Sequence, residues 1–148
     1  ESEAPFTESG VEMPGPRRAF AGALHGDRYV MCGGMREGFT LVDGCIAFDF
    51  ETRTFSELPA PAHTRLSADL VSIGERLYLV GGSWRNGESI ETDPSVEVYD
   101  PAVGSWRVLM ERVPMDLRHS RAYAYGDRIL VYSAHSEEPV VRIGLITP

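Results

Sequence analysis

The feature that most constrains this chain is a repeat. GDRYVMCGG at 26–34 and GERLYLVGG at 74–82 are the same device, an apolar run ending in two glycines, and they stand 48 residues apart. A weaker third copy, GDRILVYSA at 126–134, follows after 52 residues, with Ser133-Ala134 where the glycines would be. A period in this range means a supersecondary unit that cannot bury its own apolar face and must stack on its neighbours. Two further anchors recur in the same order: Phe48-Asp49 and then Phe55 in the first unit, Tyr99-Asp100 and then Trp106 in the second.

Each unit reads as four short strands. In the first, 20–25 and 28–32 flank a turn at Gly26-Asp27, and 45–50 and 54–58 flank a polar turn. In the second the runs are 66–73, 76–80, 95–100 and 105–109. Valine and aromatic enrichment bounded by Gly, Asp and Pro favours strands, and no long stretch keeps a helical apolar period. The fold class is all-β.

These anchors resemble the kelch family of β-propellers. Gly33-Gly34 and Gly81-Gly82 match the di-glycine after the second strand, Tyr99-Asp100-Pro101 and Trp106 match the later hallmarks, and Phe48-Asp49 and Phe55 are looser counterparts. The third unit departs from the pattern, since no Trp-bearing strand follows 139–148. The resemblance implies a kelch-like propeller segment spanning 1–148, with repeat one at 15–59, repeat two at 60–115 and an incomplete repeat three at 116–148. A glycine pair at a strand end suits crowding near the axis, and a large outer aromatic fills the wedge between sheets. About three units do not close a ring, because propellers have about four to eight blades. Residues 5–14 are the candidate fourth strand that closes a ring. Two completions stay open: a three-plus-three homodimer forming six blades, or further blades in a longer chain.

Composition narrows the partners. With 14 Lys and Arg against 22 Asp and Glu, the formal net charge is -8, which argues against general attraction to nucleic acid or an anionic membrane. No apolar run approaches the roughly 18 residues of a membrane span. The sequence begins at Glu1 and not at a methionine, so localisation stays open. Cys32 and Cys45 are too few for a disulfide framework, and their apolar settings predict small buried hydrophobes.

Function in repeat folds concentrates in loops that one face presents. Here these are the segments 35–44, 83–94 and 135–139 between second and third strands, and 12–18, 59–65 and 111–120 between units. Arg36 follows the first di-glycine and Arg85 the second, with Trp84 beside it and His135 at the comparable point of the third unit. An arginine fork near an exposed indole suits a carboxylate-bearing protein segment or small acidic ligand. The competing reading pairs these arginines with Glu37, Glu88 or Glu91. Arg18 and Arg118 are candidates to face the central opening.

Signals for catalysis are sparser. Ser120 beside His119 makes no nucleophile pair, because adjacent strand residues point to opposite faces. His63, His119 and His135, with Asp116 or Glu137, would make a metal site only by converging from separate loops. There is no P-loop, dinucleotide fingerprint, zinc-finger spacing or EF-hand, and no cofactor is implied. The leading expectation is a non-catalytic recognition module binding through Arg36, Trp84, Arg85, His119, His135, Arg18 and Arg118. The alternative is a propeller enzyme or carbohydrate-active module acting on a small polar metabolite or sugar through histidine and carboxylate groups.

Overall fold

A computed structural model of the chain describes residues 8–134 and 141–148. Its first sheet is an antiparallel meander of β1 (Ala21–His25), β2 (Arg28–Cys32), β3 (Cys45–Asp49) and β4 (Thr54–Leu58). The second sheet repeats it with β5 (Asp69–Ile73), β6 (Arg76–Val80), β9 (Val96–Asp100) and β10 (Ser105–Met110); between β6 and β9 a separate hairpin forms from β7 (Ser83–Asn86) and β8 (Ser89–Thr92). The third has β11 (Ser120–Tyr125), β12 (Arg128–Ala134) and β13 (Val141–Ile146). One 3-10 turn, Glu37–Phe39, lies in the loop after β2, and among the described residues no helix is long and apolar enough to cross a membrane. The molecule is an all-β propeller segment, as the repeat predicts.

Alternation along the strands makes two cores. Ala21, Val30, Cys32, Cys45 and Ala47 of the first sheet pack against Ala68, Leu70, Leu77, Leu79 and Tyr99 of the second. On the other side of the second sheet, Val71, Tyr78, Val80, Val96 and Val98 meet Ala122, Ile129, Val131 and Ile146 of the third. The middle sheet is thus covered on both faces, the stacking that a repeat without its own core requires. Trp106 packs against the first of these cores, tilts on Tyr99 at 5.5 Å, and donates its indole N–H to Pro59 O at 2.9 Å. Asp49 and Asp100 play the same local role in their sheets. Each accepts backbone N–H bonds of the turn after its strand, and each pairs with an arginine of the neighbouring strand, Arg28 or Arg76.

The cysteine pair, the start of β5 and the 83–94 segment differ from the sequence reading. Cys32 and Cys45 are buried, but they are joined as a disulfide: register places them opposite each other across β2 and β3, with Cα atoms 4.1 Å apart. Strand β5 starts at Asp69 instead of residue 66, because Ser67 has φ +53° and breaks the extended run; Ala19 and His119 occupy the equivalent position with φ +53° and +57°. His119 therefore precedes β11 rather than sharing a strand with Ser120. The segment 83–94, expected as an irregular loop, is largely the β7–β8 hairpin. Of the expected closing strand at 5–14, residues 8–14 form no strand, and the rest lies outside the described residues.

Candidate functional site

The segments that enter the first and second sheets meet the loops between second and third strands on one rim. Arg18 bridges to Met35 and Leu66 to Ser83 by backbone pairing. The di-glycines make this approach feasible. Gly34 N–H donates to Arg65 O at 2.7 Å, and a Cβ on Gly33 would stand 2.1 Å from that same oxygen. In the next unit a Cβ on Gly82 would stand 2.7 Å from the Ala68 Cβ. All four glycines have φ between +60° and +91°, where an L side chain is strained even in open space. The repeated glycine pair is where an entering segment is clamped to the strand ends.

Beneath this rim the second sheet holds a buried charge cluster. Arg65 donates to Gly81 O, to Ser95 Oγ and to Glu97, and its Nε lies 3.3 Å from Asp93 Oδ2. That last contact is an ion pair whose angle is too poor for a hydrogen bond, so Nε has charge compensation without a directed acceptor. Glu97 also accepts from Ala62 N–H at 2.8 Å. Burial pushes the Asp93 carboxyl up, but bonds from Ser95, the Arg65 cation and His63 outweigh it and hold it below the usual carboxylate range. Asp93 Oδ2 is 2.8 Å from His63 Nδ1, and the imidazole stacks flat on Trp84, ring centres 4.6 Å apart. The chain of contacts runs from a buried arginine to an aromatic pair at the surface.

The expected site residues fall into separate places. Trp84 and Arg85 are neighbours in β7 and so point to opposite faces: Trp84 reaches His63, whereas Arg85 sits across from Ile90. Arg85 borders a cleft of about 290 Å³ between the 35–44 loop and the hairpin, with Phe39, Leu41, Leu66, Glu88 and Ile90. Arg18 lies over the Phe39 ring at 5.8 Å. Arg36 lines a different cavity beside Arg17. Arg118 and His119 line a third, of about 560 Å³, with Arg121 and Tyr132; Arg118 also pairs with Asp116 at 2.6 Å. His135 and Glu137 lie outside the described residues. Among the described residues no group of three His, Cys, Asp or Glu is placed to hold a metal.

Arg65, Asp93 and Glu97 escaped the sequence reading, which considered His63 only as a metal ligand. The available signal was spacing: Arg17 and Arg65 precede their di-glycines by the same number of residues.

A family model described as Kelch motif matches residues 64–111, the stretch from the entering segment of the second sheet through its last strand. The chain carries a kelch repeat. It is 31% identical over 107 residues to an N-(sulfonatooxy)prop-2-enimidothioate sulfolyase of Thlaspi arvense, covering 69% of this chain and 30% of that protein. It is 32% identical over 85 residues to Kelch repeat and BTB domain-containing protein 13 of Homo sapiens, covering 57% of this chain and 18% of that one. The solved structure of YjhT matches with a TM-score of 0.69 at 24% identity, over 82% of this chain and 35% of that chain. This kelch chain spans about a third or less of the length of these curated relatives, and the structural likeness is one of fold.

Proposed function

We propose that the chain is a non-catalytic recognition module whose cleft between the 35–44 loop and the β7–β8 hairpin binds a protein segment. The observation that carries this reading is the pair Phe39 and Ile90, each 59% exposed, on the walls of one cleft edged by Arg85 and Glu88. Apolar side chains gathered in a recess with a polar border are the usual makings of a small interaction site. Arg85 Nε is held by Gly87 O at 2.9 Å, which fixes the side chain while its terminal nitrogens have no bond among the described residues. A fitting ligand is an extended segment carrying an apolar side chain next to a carboxylate.

Selection from a displayed peptide library against the folded chain tests this. Enriched peptides are expected to pair an aliphatic or aromatic residue with Asp or Glu, and Phe39→Ser and Arg85→Ala are each expected to weaken them about tenfold or more, the scale of a hot-spot loss. Equal binding by wild type and both variants, with β content unchanged, would remove the cleft from consideration.

The module works within a larger ring. Among the described residues the outer edge of β13 pairs with no strand, and Val141, Ile143 and Leu145 are exposed on it. Light scattering across concentration tests the homodimer: a stable mass near twice 16.3 kDa favours a three-plus-three ring, and a monomer defeats the obligatory homodimer and points to further sequence or a protected open wedge.

One observation favours an enzymatic second reading. His63 is oriented by a buried carboxylate while about half its side chain stays exposed, which is how a general base is held. On that reading a small polar metabolite or sugar would be turned over by wild type and not by His63→Gln, while peptide binding at the cleft stays intact.

A further inference from the structure

The first and second sheets contain two versions of one environment. With Gly33 aligned to Gly81, Arg17 takes the place of Arg65. Arg17 Nη1 donates to Gly33 O at 3.3 Å, as Arg65 Nη1 donates to Gly81 O at 3.2 Å. The arginine is kept, but its anions are not. With Asp49 aligned to Asp100, Glu97 is replaced by Ile46, Asp93 by Val42 and Ser95 by Gly44. Ala62, whose N–H serves Glu97, is replaced by Pro14, which has no N–H to give. His63, the other partner of Asp93, is replaced by Gly15. Arg36 enters the space so vacated, its Nη2 lying 3.8 Å from where a Cβ on Gly15 would stand.

A cavity of about 730 Å³ on this site is lined by both guanidinium-bearing residues, together with Pro14, Val42 and Ile46. Arg17 Nε is buried and has no hydrogen-bond partner among the described residues. Asp43 and Glu57 also line the cavity, but neither forms an ion pair with Arg17 or Arg36 among the described residues; Asp43 instead accepts from the Thr64 hydroxyl. A partly buried guanidinium without a counter-charge beside a second cation is costly, and one carboxylate spanning the two relieves both problems. The Arg17 guanidinium pKa accordingly lies below its ordinary value, pushed down by burial and then by the Arg36 charge.

We propose that the cavity between Arg17 and Arg36 binds a carboxylate supplied from outside the first sheet. Cys45 and Ala47 pack toward the second sheet, so Ile46 between them marks the opposite face, which in a closed ring meets the preceding blade. The carboxylate is therefore either a free small acid or an Asp or Glu side chain of an adjoining blade. The site uses neither Phe39 nor Arg85, and it stands or falls separately from the peptide cleft.

The test follows the arginine Nε–H signals of the ¹⁵N-labelled chain during titration with sodium succinate, against sodium chloride at equal ionic strength. The Arg17 and Arg36 signals are expected to shift saturably, while that of Arg65, whose carboxylates are internal, stays fixed. Arg17→Gln or Arg36→Gln should weaken the effect about tenfold or more, as for loss of a charge-assisted hydrogen bond. Ile46→Glu, which gives the first sheet the carboxylate of the second, should abolish it. Shifts of the same two signals on diluting the protein without succinate would assign the carboxylate to a second copy of the chain. No saturable shift and no dilution shift in the folded chain, or shifts equally large at Arg65, would overturn the proposal.

Discussion

Arg65→Met is expected to cost about 3–5 kcal/mol of folding stability, read as a lower urea midpoint, because it strands two buried carboxylates in an apolar interior. Asp93 and Glu97 side chains are 2% and 1% exposed, and Arg65 is the one cation that reaches both among the described residues. The damage follows from leaving charges unpaired, since a buried ion pair is worth little against an apolar replacement. Combining Arg65→Met with Asp93→Val and Glu97→Ile should therefore recover most of the loss, and the first sheet already carries those residue types at 42 and 46. The pH dependence has a definite sign. The Asp93 carboxyl lies below its ordinary value, so it contributes stability above the unfolded value of about 3.9, and this is lost as pH falls through the lower folded value. In Arg65→Met the stranded carboxylates gain by taking up protons, so the deficit against wild type should narrow in acid. A loss under about 1 kcal/mol would mean that the cluster is solvated and contributes no more than a surface pair.

The repeat made the architecture legible. Periodic glycines, the Asp before each outer turn and the aromatic in the last strand are dictated by backbone crowding, turn bonding and wedge packing, each of which needs a particular residue type at a fixed place. The strand pairs followed, including β13 at 141–146 in a unit whose di-glycine has decayed. The site was less legible because it depends on which side of a strand a residue faces. Trp84 and Arg85 read as one recognition element only while 83–94 is taken as a loop; once paired across Gly87 they part to opposite faces. Arg65 looked like any polar residue in a connecting segment, and its burial depends on two carboxylates about thirty residues later, Asp93 just before β9 and Glu97 within it. The disulfide was hidden for a related reason, since two cysteines in apolar runs read as core until register sets them opposite each other.

Gly33→Ala is expected to destabilise by about 3 kcal/mol or more, against about 1–2 kcal/mol for Gly26→Ala. Both glycines have positive φ, +64° and +57°, so both substitutions incur left-handed strain. Only the first adds a collision. A Cβ at Gly26 meets nothing within 4 Å, whereas at Gly33 it would stand 2.1 Å from Arg65 O, the acceptor for Gly34 N–H. The added methyl pushes away the segment that carries the buried arginine, so Gly33→Ala and Arg65→Met disturb one structure. Their combined cost should fall short of the sum of the single costs by about 1 kcal/mol or more, the coupling expected of residues in contact. Equal costs for Gly33→Ala and Gly26→Ala would leave positive φ as the sole reason for the first glycine. An additive double variant would instead separate the clamp at the rim from the charge cluster beneath it.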